Sequence, residues 1–155
     1  MEQVNHPVHY NKHPGGIECI EIIRHYTFDT GCAIKYLWRA GLKTEMGRSN
    51  RDKEREDLQK ALWYAEDYHN HYENRDETLV SCEAIDFIIQ KETGYTVEQI
   101  VEPYDEHVAT ALRCLLRMGI ISGNRIYHFE FSQAEFTDIR FEIQARIKDL
   151  EKSQE

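Results

Sequence analysis

The sequence predicts a mainly α protein: a small helical domain with a long third helix, followed by a mostly helical C-terminal module with one short β element. Three observations carry this. Apolar residues recur at three- and four-residue spacing along most of the 155-residue chain. Capping patterns and glycine or proline stops punctuate those stretches. One segment, GNRIYHFEF (residues 123–131), opens with a turn signal and then alternates as a strand does.

Residues 1–16 are turn-rich, with Pro7, Pro14, the Gly15-Gly16 pair and three histidines, and read as an ordered arm. Ile17, Ile20, Ile23 and Tyr26 then set a helical spacing, which predicts a first helix from Ile17 to Tyr26. Asp29 or Thr30 is placed to cap a second helix through GCAIKYLWRA, with Gly41 at its C′ position. Ser49 followed by Asp52 resembles a capping box for the long third helix. Leu58, Ala61, Leu62, Ala65 and Tyr68 form its apolar face, and the pattern runs toward Asn74.

The polar run ENRDE (73–77) is the natural boundary, dividing the chain into residues 1–75 and 78–155. TLVSCEAIDFIIQKET reads as a helix stopped by Gly94. Thr96 and Gln99 form a capping box for a short turn ended by Pro103. YDEHVATALRCLLRMGII is strongly amphipathic. Ser132 and Glu135 open a last helix that runs to about Lys152.

The formal net charge of −9 argues against general nucleic-acid binding, which needs cations to replace released counterions. It leaves room for a local phosphate pocket. No apolar run approaches the roughly 20 residues of a membrane span, and the polar N-terminus lacks the order of a signal peptide. Cys19, Cys32, Cys82 and Cys114 are scattered, as expected for reduced thiols in a cytoplasm.

Three clusters could carry chemistry. Lys35, Arg39 and Lys43 lie at i, i+4 and i+8, one stripe of a helix. The tail GLKT that follows Ala40 resembles the end of a P-loop, but Leu42 separates Gly41 from Lys43 and a helix precedes it, so spacing and context both fail. The stripe is served either by solvent, nearby acids and the helix dipole or by an anionic ligand. His6, His9 and His13 form a second cluster in an arm whose prolines disfavour a helical metal site. Glu18/Glu21 and Glu54/Asp57 form the third. These i, i+3 pairs could hold Mg²⁺ for triphosphate chemistry, or they could be solvent-facing acids and ion-pair partners.

The stretches VNHPVHYNKHPGGIECIEII, CAIKYLWRAGLK and EDLQKALWYAEDY, in that order over about residues 4–72, resemble a bacteriophage family known as domain of unknown function 3310, labelled SaV-like or nucleotide kinase-like. The resemblance implies a phage protein of nucleotide metabolism in the cytoplasm of a bacterial host. Its implied activity is a P-loop-less deoxynucleoside monophosphate kinase that uses ATP or another nucleoside triphosphate as phosphate donor, with or without Mg²⁺. Carried over by position, it implies catalytic roles for Arg39, Lys35 and Asp57, and nucleotide contacts for His9, Tyr10, Tyr36, Lys43, Lys60 and Tyr64. A homo-oligomer is the expected assembly.

Two other functions compete. An all-α, Mg²⁺-dependent pyrophosphohydrolase would use Glu18, Glu21, Glu54 and Asp57 as metal ligands. A non-enzymatic phage protein would bind a host protein through residues 78–155, or sequester a nucleotide.

Overall fold

A computed structural model describes residues 13–40, 50–72, 78–130 and 132–152. The described elements are α1 (Cys19–Ile23), α2 (Phe28–Arg39), α3 (Asn50–Tyr72), β1 (Thr78–Val80), α4 (Cys82–Thr93), α5 (Val97–Val101), α6 (Glu106–Leu116), β2 (Ile120–Ser122), β3 (Arg125–Phe129) and α7 (Ser132–Lys152). The fold is therefore mainly α with a small three-stranded sheet.

Four helices make the scaffold. α2 packs on α3, α3 on α7, α7 on α6 and α6 on α2, which closes a ring. Neighbours run antiparallel. Asp29 meets Asp67 at one end of the α2–α3 seam, and Tyr36 meets Lys60 further along it. Glu54 meets Arg146 and His69 stacks on Phe136 along α3–α7. One apolar cluster runs through the ring, with Leu37, Trp38, Leu58, Leu112 and Ile139 buried together with Ile143. Full burial of each large side chain is worth about 1.5–3 kcal/mol. The expected boundary at residues 75–78 falls between α3 and β1. Each side of it contributes two helices to the ring.

The sheet has the order β1-β3-β2, with β1 parallel and β2 antiparallel to β3. Ser122 pairs with Arg125 across a Gly123-Asn124 turn. Gly123 has φ +63°, the positive φ that tight hairpin turns demand at a central position. The strand expected in GNRIYHFEF is β3; β1 and β2 were expected to be helical. Thr78–Val80 instead pairs with Tyr127–Phe129, and the Ser81 side chain then caps α4 by accepting from Ala84 N–H. α6 ends at Leu116, because Met118 and Gly119 turn the chain so that Ile120 and Ile121 can enter the sheet. Gly94 (φ +87°) stops α4, and Thr96 and Gln99 form the expected reciprocal capping box.

Two boundaries in the N-terminal half also differ from expectation. α1 stops at Ile23, short of Tyr26, because the next residues are recruited by the sheet. Tyr26 bridges Ile120, the Ile121 N–H donates to His25 O at 2.7 Å, and the Tyr26 hydroxyl donates to Leu116 O at 2.7 Å. The N-cap of α2 is Thr27, so Asp29 and Thr30 are not caps but buried residues inside the helix. Thr27 N–H donates to Gly119 O, which fixes the helix start from outside. Gly119 has φ +69°, and a Cβ there would lie 2.7 Å from Thr27 Oγ1, so the contact requires glycine. The Ser49 cap and the Gly41 C′ position lie outside the described residues, as does the end of the α3 pattern at Asn74. Among the described residues no helix is long and apolar enough to cross a membrane.

Candidate functional site

The antiparallel α2–α3 seam brings most of the candidate residues onto one face. Tyr36 on α2 stacks against Tyr64 on α3, with ring centroids 5.8 Å apart and planes 13° from parallel. Three cations surround the Tyr36 ring. Lys35 Nζ is 4.7 Å from its centroid, Lys60 Nζ 5.4 Å and Arg39 Cζ 5.5 Å. The helical repeat explains the convergence. Lys35 and Arg39 are one turn apart on α2, as are Lys60 and Tyr64 on α3. Cations at this distance from an aromatic face are attracted by its quadrupole.

Two further aromatics extend the face into solvent. Phe28 meets Tyr64 edge-on at 6.2 Å and Trp63 does so at 5.0 Å. They are 72% and 59% exposed, so neither belongs to the core. Lys60 donates to Glu56 at 2.8 Å, and that hydrogen bond raises its pKa and keeps it charged.

Charges of both signs lie buried along the same seam. Arg39, Lys53, Glu54 and Asp57 are all nearly or fully inaccessible. Lys53 Nζ is 3.3 Å from Glu56 and 4.0 Å from Asp57. Burying ionised groups costs several kcal/mol each unless they are paired. Arg39 and Asp57 thus sit beneath the face, while Lys35 and Lys60 reach the surface.

The four acids considered for a metal do not come together. Glu21 accepts from the Tyr95 hydroxyl at 2.8 Å. Glu54 receives Arg146 of α7 through two hydrogen bonds, at 2.9 and 3.3 Å, and Arg146 also lies 3.6 Å from Asp105. Glu18 lies just ahead of α1, and Asp57 is enclosed on α3. Among the described residues no group of three or more His, Cys, Asp or Glu side chains is arranged to hold a metal ion. Of the arm histidines, His13 has both ring nitrogens engaged: Gly15 N–H donates to Nδ1 at 3.0 Å, and Nε2 faces Ile100 O at 2.8 Å. Its ring packs against buried Trp38, with centroids 5.2 Å apart and planes tilted by 30°. His6, His9, Tyr10 and Lys43 lie outside the described residues.

Sequence reasoning missed three contributors. Phe28 and Trp63 carry no local signal in the sequence that sets them on this face. Asp29 looks like a cap, yet its carboxyl is buried and shares a hydrogen bond with Asp67. Burial first, and then that shared bond, push the Asp29 carboxyl up to about 6. His71 Nδ1 lies 3.2 Å from Asp67 on its other side. No local spacing reveals a pair 38 residues apart.

Neither the curated proteins nor the solved structures give a match to this chain. Residues 4–66 match the family described as a protein of unknown function (DUF3310). That segment is less than half of the chain, and it contains Lys35, Tyr36, Arg39, Asp57, Lys60 and Tyr64.

Proposed function

We propose that this is a phage-encoded nucleotide-metabolism protein of the host cytoplasm that transfers phosphate from a nucleoside triphosphate to a deoxynucleoside monophosphate without a P-loop. The observation that carries the reading is the convergence of Lys35, Arg39 and Lys60 on the stacked Tyr36–Tyr64 pair. A nucleotide offers an aromatic base and a chain of negative charge. The face offers exposed Phe28 and Trp63 for stacking, and Lys35 and Lys60 for phosphate oxygens.

Phosphoryl transfer asks a protein mainly for positioning and for neutralisation of charge as the phosphoryl group moves. Lys35 and Lys60 supply that charge at the surface. Arg39, buried below them, holds positive potential under the Tyr36 ring, and buried Asp57 on α3 lies 4.0 Å from Lys53. Any magnesium enters with the triphosphate, since the described carboxylates form no site of their own. The pyrophosphohydrolase alternative needs Glu21 and Glu54 as ligands, and both have protein partners.

The test is product analysis by chromatography. The protein is mixed with ATP and each deoxynucleoside monophosphate, then with each triphosphate alone, with and without Mg²⁺. New diphosphate formed from a monophosphate is the expected result. Monophosphate and pyrophosphate formed from a triphosphate would replace the kinase with the hydrolase. Absence of turnover in every mixture would leave sequestration or host-protein binding. Lys35→Ala is expected to lower turnover at least tenfold with the helical circular-dichroism signal intact.

A further inference from the structure

Lys35 has a second environment. Besides flanking the Tyr36 ring, it lines a groove of about 320 Å³ between α1 and the first half of α2. Ile23, Arg24, Phe28, Gly31 and Cys32 line the groove with it. The volume is at the lower end of small-molecule sites. None of the candidate residues read from the sequence, Lys35 excepted, belongs to it.

The groove carries two cations, Arg24 and Lys35. The chain has 28 acidic and 19 basic residues, and several of its described cations sit beside a carboxylate. Lys53, Lys60, Arg113, Arg117, Arg140 and Arg146 all do. Arg24 and Lys35 have no carboxylate partner among the described residues. Arg24 Nε donates to Ile20 O at 3.0 Å, which steadies the side chain and leaves its terminal N–H groups for another acceptor. Two cations lining one groove, neither beside a described carboxylate, favour an anion there. Phe28 borders the same groove and is 72% exposed, so an aromatic ligand would desolvate it.

We propose that this groove is a second nucleotide subsite, that it takes the nucleoside monophosphate acceptor, and that Lys35 is shared between it and the Tyr36 face. The inference rests on the phosphotransfer reading and gives that reading its second substrate position. The triphosphate donor lies on the Tyr36–Tyr64 side with Lys60, and the acceptor lies on the Arg24 side. Their phosphates meet at Lys35. An oxygen of the acceptor's dianionic phosphate forms the new P–O bond to the γ-phosphorus. The bond from that phosphorus to the β,γ-bridging oxygen breaks, and its electron pair leaves with the donor diphosphate. Two nucleoside diphosphates result, and no proton need move. The Lys35 ammonium offsets the repulsion between the two anions as they close.

Titration calorimetry tests this with two probes, a deoxynucleoside monophosphate (each of the four in turn) and the non-hydrolysable ATP analogue adenylyl imidodiphosphate. Arg24→Ala is expected to weaken monophosphate binding tenfold or more and to leave the analogue unchanged. Arg24→Lys should restore part of the loss. Phe28→Ala, at an exposed position, should weaken the monophosphate at least threefold. Lys60→Ala should weaken only the analogue, and Lys35→Ala both. Cys32 supplies a second readout. In a Cys82→Ser background, saturating monophosphate should slow alkylation of Cys32 at least fivefold, and the analogue should not. If the monophosphate binds wild type and Arg24→Ala equally, or leaves Cys32 fully reactive, the groove assignment fails while the proposed function stands. If wild type binds neither probe, both fall.

Discussion

Replacing Asp29 with asparagine should make the protein more stable as pH rises relative to wild type. In the native state the Asp29 carboxyl is buried against Asp67 and holds its proton up to about pH 6, from an ordinary value of 3.8. A carboxyl whose folded pKa is raised contributes stability that is complete below its unfolded value and is lost as pH climbs through the folded one. The window therefore lies between about pH 4 and pH 6. Each pH unit across that window is worth about 1.4 kcal/mol, so the pair could account for about 3 kcal/mol. The hydrogen bond to Asp67 couples the two carboxyls, so the effect belongs to the pair, and the substitution is expected to read about 1–2 kcal/mol of it. Asparagine keeps the shape, carries no charge and offers an N–H donor to Asp67 at every pH. Urea denaturation followed by far-UV circular dichroism at about pH 4, 6 and 8 measures the effect. Asp29→Asn should match or fall slightly below wild type at pH 4 and exceed it by about 1–2 kcal/mol at pH 8. His71→Gln is the control, because His71 sits beside Asp67 and, when protonated, favours the ionised form of Asp29. An offset independent of pH, or a variant weakest at pH 8, would refute the picture of two coupled carboxyls.

Gly119→Ala should cost about 2–4 kcal/mol by thermal denaturation, because it adds left-handed backbone strain to a Cβ pressed on Thr27 Oγ1. Tyr26→Phe should cost about 1 kcal/mol by urea denaturation, through loss of the bond to Leu116 O. His107 hydrogen-bonds Glu142, which with the nearby charges of Glu142, Asp105 and Asp149 raises its pKa above 6.5. Its contribution is complete below about pH 6.5 and fades as pH rises through the folded value. The melting-temperature advantage of wild type over His107→Gln should therefore shrink between about pH 6 and pH 8.5. Arg146→Ala should cost about 2–4 kcal/mol by chemical denaturation, because it leaves buried Glu54 without its guanidinium.

The helices were legible where periodicity and caps agree. Leu58, Ala61, Ala65 and Tyr68 do face the core of α3, and Gly94 and the Thr96–Gln99 box end and begin elements as read. What escaped was set by distant partners. Thr78–Val80 is a strand because β3 lies beside it, and Tyr26 leaves α1 because Leu116 and Ile120 claim it. The site divides along the same line. Spacing within one helix linked Lys35 with Arg39, and family resemblance added Tyr36, Lys60 and Tyr64. Neither could place Arg24 and Lys35 across one groove, or set Asp29 against Asp67, because those neighbours exist only once α1, α2 and α3 have docked.

The order of helices around the ring also constrains how the protein is made. α7, which follows α3 and α6 in the chain, seats between them, and Arg146 reaches back 92 positions to Glu54. The seam that carries the cations and aromatics is translated before α7, and one of its flanks stays open until α7 has been made. Native contacts this remote in sequence slow the closing step of folding. The newborn α2–α3 hairpin therefore spends synthesis with Leu58 and Trp38 incompletely covered. A ribosome that stops before α7 releases a chain bearing the whole face of cations and aromatics on a scaffold that has not yet closed.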